Sequence, residues 1–233
     1  MTAPPAGSPN RHIAVDVAAP LLLSGTAMLL CCLTLDATLG LAFAGFAIAS
    51  LLSPPLAVPE LGLAINARRR LLSQVTIAVP ILIGWLWVTF AGGWSLGATA
   101  LLAALLSSYI AMLSTTAVVV ASVTSATVGR GMTSIAAVAW LAWPIWTVDW
   151  MTPSLANRLV NVHPLFAANR VTGFAPWPEH GMMYHLTRLG QDLPYALPTS
   201  VWPAVTLNVA VGLIGLAIVR LARARAAMPH SSS

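Results

Sequence analysis

The fold is decided by the stretch from Leu71 to Gly129, LLSQVTIAVPILIGWLWVTFAGGWSLGATALLAALLSSYIAMLSTTAVVVASVTSATVG, which contains no Asp, Glu, Lys or Arg. A bilayer core of about 30 Å is crossed by about 20 apolar residues in a helix, so this run suffices for two crossings and a turn. The turn is expected at residues 91–95, AGGWS, because two glycines loosen the backbone and tryptophan collects at membrane surfaces. We therefore predict a helical hairpin inside lipid.

The composition of the whole chain agrees with a membrane protein. Of the 233 residues, 58% are hydrophobic and 7% are charged, against about 25% charged in ordinary globular proteins. The mean hydropathy is +0.83. All eleven basic residues are Arg, and they lie at the ends of apolar runs instead of forming a stripe interleaved with aromatic residues, so nucleic-acid binding is not indicated. We predict a single all-α polytopic domain.

The chain outside the hairpin supplies further apolar runs, and we predict six transmembrane helices. Their approximate bounds are Val17 to Leu35, Leu39 to Val58, Val75 to Ala91, Ser95 to Val123, Thr133 to Trp150 and Val201 to Leu221. Helices one to five thus occupy residues 17–150, and helix six occupies 201–222. Residues 1–16 and 223–233 are predicted to be tails, the first of them disordered, and residues 151–200 an external segment packed on the membrane.

A short amphipathic helix is predicted between the second and third crossings, from Pro59 to Ser73. Pro59 and Glu60 suit a helix start, and the run from Arg68 to Arg70 suits its C-terminal end. Pro54 and Pro55, just upstream, are expected to break or kink the second crossing near its end.

The fourth crossing is unusually rich in hydroxyl side chains, among them Ser108, Thr115, Thr116 and Ser122. Small hydroxyl residues let helices approach closely and form hydrogen bonds with one another, so this helix is expected to be buried among the others.

The external segment carries the candidate metal ligands His163, His180, His185 and Met182. Histidine and methionine together are copper-like ligands, but nothing in the spacing brings the three histidines together, so packing or surface histidines are the favoured interpretation and a metal site the alternative. Just upstream, Trp140, Trp143, Trp146 and Trp150 fall on one helical face. A packing stripe or membrane-interface belt is favoured there, and an aromatic cage for a cation is the alternative.

Several enzyme classes are excluded by what the sequence lacks. A P-loop needs a lysine on the phosphates, and the chain contains none; it also has no HExxH or CxxC motif. The carboxylates Asp16, Asp36, Glu60 and Asp149 all fall at predicted helix ends, which disfavours a proton relay inside the membrane. No catalytic residue, cofactor or enzymatic activity is therefore predicted.

The arginines predict the orientation in the membrane. With a cytoplasmic N-terminus, eight of the eleven lie in inside segments: Arg11, Arg68, Arg69, Arg70, Arg130, Arg220, Arg223 and Arg225. Positive residues near helix ends favour the cytoplasmic side, so we expect both termini inside and residues 151–200 outside.

This organisation resembles the permease subunits of the ABC-2 type transporter superfamily over nearly the whole chain. The resemblance is carried by six crossings, the amphipathic segment Pro59 to Leu72, the Ser-rich turn VTSATVGRGM after the fourth crossing, and Asn161-Val162-His163-Pro164-Leu165 in the external segment. It implies a coupling-type cytoplasmic helix between crossings two and three, and an external helical hairpin between crossings five and six.

The same resemblance implies a function. The chain would be the membrane half of an ATP-driven exporter in the bacterial inner (plasma) membrane, paired with a second permease copy and with a separate ATPase subunit that hydrolyses ATP. Coupling would involve Glu60, Arg68, Arg69 and Arg70, while Ser108, Thr115, Thr116 and Ser122 would line the translocation path or the dimer seam.

Two alternatives stay open. The arginines of Pro59 to Ser73 also suit attachment to anionic lipid headgroups. In place of an exporter, the chain could be a membrane anchor or assembly subunit whose external His/Met segment holds a metal, haem or partner protein.

Overall fold

The fold is taken from a computed structural model, in which residues 9–34, 39–58, 67–91, 93–146, 151–173, 189 and 193–226 are described. The helices are α1 (Pro9–Thr34), α2 (Leu39–Ala57), α3 (Ala67–Phe90), α4 (Leu96–Val123), α5 (Ala126–Ala142), α6 (Pro153–Val162), α7 (Pro164–Thr172) and α8 (Trp202–Ala226), and a 3-10 turn spans Trp143–Trp146. The described part of the chain contains no named strand, so the prediction of an all-α fold is confirmed there.

Three of the described helices are long and apolar enough to cross a membrane. The qualifying stretches are Gly40–Ala57 in α2, Leu96–Val123 in α4 and Trp202–Ala222 in α8. Helices α1 and α3 contain shorter apolar stretches, Ala18–Leu30 and Gln74–Phe90. Six crossings therefore stay a prediction, of which three are supported by length and composition.

Serine side chains define the start of two central helices. Ser95 accepts a hydrogen bond from the backbone N–H of Ala98 at 3.1 Å, and Ser125 accepts one from Val128 at 3.3 Å. Each bond satisfies one of the N–H groups that a helix start leaves without a partner. The turn between α3 and α4 thus lies where the glycines predicted it.

The amphipathic helix predicted from Pro59 to Ser73 has different bounds in the structure. Helix α3 begins at Ala67 and continues without a break to Phe90, so Arg68 to Ser73 belong to the third crossing. Arginine and leucine are both good helix formers, and no glycine or proline separates Ala67 from the apolar residues that follow. Residues 59–66, including Glu60, lie outside the described residues.

Other predicted boundaries were also wrong. Helix α5 begins at Ala126, seven residues before the predicted Thr133, because Ser125 caps it there. Helix α1 begins at Pro9, within the predicted disordered tail, since proline is well tolerated in the first turn of a helix. The bounds of α2, by contrast, agree with the prediction to one residue, because the helix continues through Pro54 and Pro55 and ends at Ala57.

The long helices alternate in direction. Contacts pair Ser24 with Thr76, and the site of Gly84 with Met28, so α1 and α3 are parallel. Ser50 contacts Tyr109, and Ala57 clusters with Ala117, so α2 and α4 are parallel. Asn208 contacts Ser108, and the site of Gly215 lies against Thr115, so α8 is parallel to α4 as well. The contacts of Trp85 with Leu41 and of Thr89 with Thr99 set these two groups antiparallel. The approach of Gly129 to Ala121 sets α5 antiparallel to α4.

Each end of the bundle has its own apolar cluster. At the first end, Ala57 and Val58 of α2 pack with Ala117 and Val118 of α4 and with Val219 of α8. The second end contains α6 and α7, whose cluster comprises Ala156, Val160, Phe166, Leu189 and Leu193 and is joined by Phe43 from the start of α2. The central core between the two clusters is built around α4, which packs against α2, α3, α5, α7 and α8. The predicted burial of the fourth crossing is thereby confirmed.

The outer faces of the peripheral helices are apolar. Leu22 of α1, Ile83 of α3 and Ile214 of α8 are each at least 60% exposed. Among the side chains of α8 that the structure describes, only a narrow stripe is buried, formed by Ala204, Asn208, Gly212, Gly215 and Val219. A helix that buries small residues and exposes large apolar ones is suited to lipid on its outer face.

Candidate functional site

The interface between α4 and α8 contains a buried side-chain hydrogen bond. The Asn208 amide donates from Nδ2 to Ser108 Oγ at 3.2 Å, and Ser108 Oγ donates to the carbonyl oxygen of Leu105 at 2.8 Å. Both Asn208 and Ser108 are buried, at 3% and 8% exposure. Because an unpaired amide is costly in an apolar environment, this bond fixes the register of α8 on α4.

About two helical turns further along the same interface, a glycine allows the backbones of α4 and α8 to approach each other closely. A Cβ built on Gly215 would lie 2.7 Å from Cγ2 of Thr115 and 3.4 Å from Cγ2 of Val119. The Thr115 hydroxyl is held by its donation to the carbonyl oxygen of Ala111 at 2.8 Å. Thr115 thus contributes its methyl group to the interface and its hydroxyl to its own helix.

The four hydroxyl residues predicted to line a path or dimer seam do not share one environment. Ser108 and Thr115 are buried and face α8 of the same chain, whereas Thr116 is half-buried. Ser122 is exposed and donates to the carbonyl oxygen of Val119 at 2.7 Å. Their role in a path or seam stays a prediction.

A second polar contact connects α2 to α4 in the middle of the bundle. Ser50 Oγ and the Tyr109 hydroxyl are 2.8 Å apart, and Ser50 Oγ is also 2.8 Å from the carbonyl oxygen of Phe46. The rings of Phe46 and Tyr109 meet edge to face at 5.6 Å. Through these contacts Tyr109 of α4 packs directly against α2 in the core.

Asn208, Ser50 and Tyr109 were not among the predicted site residues. For Asn208 a signal was present, because it is the only amide side chain between Val201 and Leu221, and polar side chains in such runs commonly face other helices. Ser50 and Tyr109 are unremarkable in the sequence, and only their contact distinguishes them.

Most arginines of the described residues lie at the first end of the bundle. Arg130 Nε donates to the carbonyl oxygen of Val58 at 2.6 Å, beside the C-terminus of α2. A guanidinium group there satisfies a carbonyl that the helix end leaves open and opposes the negative end of the helix dipole. The predicted coupling residues Arg68, Arg69 and Arg70 lie in the first turns of α3 at this same end. The fourth, Glu60, is outside the described residues.

His163 is the most unusual side chain at the second end. It lies between α6 and α7, is completely buried, and its Nε2 is 2.9 Å from the carbonyl oxygen of Trp140. Its ring centre is 5.0 Å from that of Trp140, 5.9 Å from that of Trp143 and 5.4 Å from that of Phe166. Trp140 and Trp143 thus pack inside the protein, as the favoured interpretation of the tryptophan stripe predicted. His163 is a packing histidine, which was the favoured interpretation of its role.

This enclosure keeps His163 neutral. Burial lowers the pKa of His163 from 6.5 to about 3, and the hydrogen bond to the Trp140 carbonyl opposes part of that effect. An imidazolium ion in an aromatic enclosure would lose its hydration without gaining a counter-charge. At neutral pH the ring is thus uncharged.

The other candidate metal ligands, His180, Met182 and His185, lie outside the described residues. Within the described ranges, no three His, Cys, Asp or Glu side chains are grouped closely enough to hold a metal ion. His163 already uses one ring nitrogen on the Trp140 carbonyl.

No family model matches this chain, and no curated protein and no solved structure is similar enough to count as a match.

Proposed function

We propose that this protein is the membrane-spanning permease subunit of an ATP-driven, ABC-type exporter, with ATP hydrolysed by a separate subunit. The observation that carries the proposal is the asymmetry of charge in a bundle of alternating helices. The positions of Arg11, Arg68 to Arg70, Arg130 and the arginines after Val219 all fall at the first end, by the direction of their helices. Such an arrangement favours multi-pass insertion in the bacterial inner membrane with the first end in the cytoplasm.

The opposite end has the features of an external cap. Helices α6 and α7 meet at His163 and Pro164, and α7 packs against α2 and α4. Arg158 and Arg170 lie on this pair, within the long connection where the charge rule has less force. A helical pair between the last two long helices is the arrangement that the resemblance to ABC-2 permeases implies on the external side.

Coupling to the ATPase is assigned to the start of α3. A helix of 24 residues extends roughly 36 Å, so α3 connects the arginines at the first end with Trp85 near the second. Trp85 is completely buried and donates from Nε1 to the carbonyl oxygen of Leu41 at 3.0 Å, at the start of α2. A displacement of Arg68 to Arg70 would thus be carried along one continuous helix into the core.

The absence of lysine from the chain agrees with a division of labour, because a P-loop cannot be built without that residue. The exposed apolar faces of α1 and α8 leave room for lipid and for a second permease copy in the membrane. The path itself is proposed along the polar residues of α4, where Ser108, with Asn208 of the neighbouring α8, offers hydrogen-bonding groups inside the bundle.

The test is co-purification from native cells in a mild detergent, with the affinity-tagged chain as bait and mass spectrometry as the readout. The wild-type chain should retain an ATP-binding cassette ATPase. Glu60→Arg and Arg69→Glu should lose most of it while inserting normally. Arg170→Glu is the matched control, since this exposed arginine lies at the opposite end and its reversal should leave ATPase retention unchanged.

Two results would contradict the proposal. One is a wild-type chain that retains no ATPase; recovery of a metalloprotein or haem protein in its place would support the anchor or assembly subunit. The other is equal ATPase retention by Arg69→Glu and Arg170→Glu, which would assign the arginines of α3 to lipid headgroups.

A further inference from the structure

We propose that a single water molecule binds between Trp143 and His163, accepting a hydrogen bond from Nε1–H of Trp143 and donating one to Nδ1 of His163. This water site does not depend on the proposed function. It follows from two buried polar atoms for which the described part of the chain offers no hydrogen-bond partner, Nε1 of Trp143 and Nδ1 of His163.

The hydrogen-bonding roles of the histidine are set by its neighbour. The Trp140 carbonyl oxygen, 2.9 Å from Nε2, can only accept, so the hydrogen of the neutral ring is on Nε2. In that tautomer Nδ1 carries a lone pair and no hydrogen. His163 therefore presents a buried acceptor, and the lowered pKa of the ring keeps it an acceptor at neutral pH.

Trp143 supplies the opposite chemistry. The indole nitrogen is a donor only, and although the ring as a whole is half-buried, its Nε1 has no contact with solvent. The indole and imidazole rings are nearly perpendicular, at 83°, with centres 5.9 Å apart. The contact places the two nitrogens without partners on neighbouring rings of one enclosure, and a water that bridges them would make two hydrogen bonds of about 2.9 Å.

The pair selects its ligand by chemistry. A cation could use the Nδ1 lone pair but would be repelled by the indole N–H, and an anion could accept from the indole but has no hydrogen for Nδ1. A neutral group that both accepts and donates satisfies both atoms. Between the rings of Trp140 and Phe166, 5.0 Å and 5.4 Å from the imidazole centre, such a group must be small, which favours water.

The bridge would join two elements at the second end. Trp143 begins the 3-10 turn that follows α5, and His163 is the residue between α6 and α7. The direct bond from His163 reaches Trp140, in the last turn of α5. Water on Nδ1 would add a second connection, so that the junction of α6 and α7 is held to the end of α5 on both sides of one imidazole ring.

The test uses the full-length chain in lipid nanodiscs with 15N-labelled histidine and tryptophan. His163→Gln identifies the His163 resonances among those of the five histidines. At neutral pH we expect the Nε2-protonated tautomer, an Nδ1 resonance typical of a hydrogen-bonded acceptor, and magnetisation transfer from water to the indole N–H of Trp143. Trp143→Phe removes the donor, and should move the Nδ1 resonance markedly.

Trp140→Phe is the matched control, because it removes an indole from the same enclosure but keeps the carbonyl that binds Nε2. Its effect on Nδ1 should be several-fold smaller than that of Trp143→Phe. Equal shifts in the two variants, a free Nδ1 resonance, or a structure in which a side chain from residues 147–150 or 174–188 bonds either nitrogen would overturn the proposal.

Discussion

Replacing Gly215 by alanine should weaken the packing of α8 on α4. The new methyl carbon would lie 2.7 Å from Cγ2 of Thr115, far inside van der Waals contact. Thr115 cannot rotate away freely, because it is β-branched and its hydroxyl donates to the carbonyl oxygen of Ala111 at 2.8 Å. Either that hydrogen bond breaks or α8 moves outward. Overpacking of this kind costs about 1–3 kcal/mol.

Gly212→Ala is the matched control on the same face of α8. A Cβ there would lie 3.9 Å from Cα of Met112, an ordinary contact. Both substitutions share the gain of about 0.5–1 kcal/mol from replacing glycine in a helix. The difference in stability between the two variants thus isolates the steric clash, and should be about 1–3 kcal/mol in favour of Gly212→Ala.

The assay is unfolding of the purified chain in mixed micelles with increasing denaturing detergent, followed by the fluorescence of its nine tryptophans. A second substitution, Thr115→Ser, removes the clashing methyl group but keeps the hydroxyl. In that background Gly215→Ala should lose at least half of its cost. A Gly215→Ala chain as stable as Gly212→Ala would refute the close approach of the two helices.

The remaining predictions concern the helix junctions and buried polar groups. Gly129→Ala should destabilise the chain by at least about 2 kcal/mol relative to Gly131→Ala, as thermal unfolding of the two variants would show. A Cβ on Gly129 would lie 2.7 Å from the backbone nitrogen of Ala121, whereas a Cβ on Gly131 has no neighbour within 4 Å among the described residues. Asn208→Ala should cost about 1 kcal/mol, and less in a Ser108→Ala background, as a double-mutant cycle would show. In the unfolded chain His163 binds a proton below its ordinary pKa of 6.5, whereas its pKa in the folded chain is about 3. The contribution of His163 to the free energy of unfolding is therefore complete above pH 6.5, and this free energy should fall by about 2 kcal/mol between pH 7 and pH 5. His163→Gln should remove this pH dependence, and an unchanged dependence would contradict the buried neutral ring.

Features encoded locally in the sequence were predictable. The uncharged run from Leu71 to Gly129 predicted the α3–α4 hairpin, because it is long enough for two apolar helices. The glycines near Trp94 indicated the position of the turn. The hydroxyl side chains of the fourth crossing likewise predicted the central position of α4.

Helix boundaries were less predictable. Arg68 to Arg70 were interpreted as the end of a surface helix, yet charge alone does not end a helix, and α3 continues through them. Gly129 and Gly131 were interpreted as part of a turn, but Gly129 is needed inside α5 because the backbone of α4 passes so close to it. The deciding interactions here are contacts between helices.

The His163 enclosure depends on residues far apart in the chain. Trp140, Trp143 and Phe166 surround the imidazole only because α7 packs back against the bundle. In the sequence, His163 was indistinguishable from an exposed histidine beside a proline. The contact between Asn208 and Ser108 is of the same kind, since it joins residues of α8 and α4.

The orientation of the bundle is decided by one measurement, labelling of single cysteines by a membrane-impermeant maleimide in intact cells. Cys31 and Cys32 are first replaced by alanine, and cysteine is then introduced by Ala175→Cys, Ile65→Cys or His230→Cys. We expect Ala175→Cys to be labelled from outside, and Ile65→Cys and His230→Cys to be labelled only after the cells are permeabilised. Labelling of Ala175→Cys only after permeabilisation, or of Ile65→Cys in intact cells, would contradict a cytoplasmic basic end and the exporter arrangement built on it.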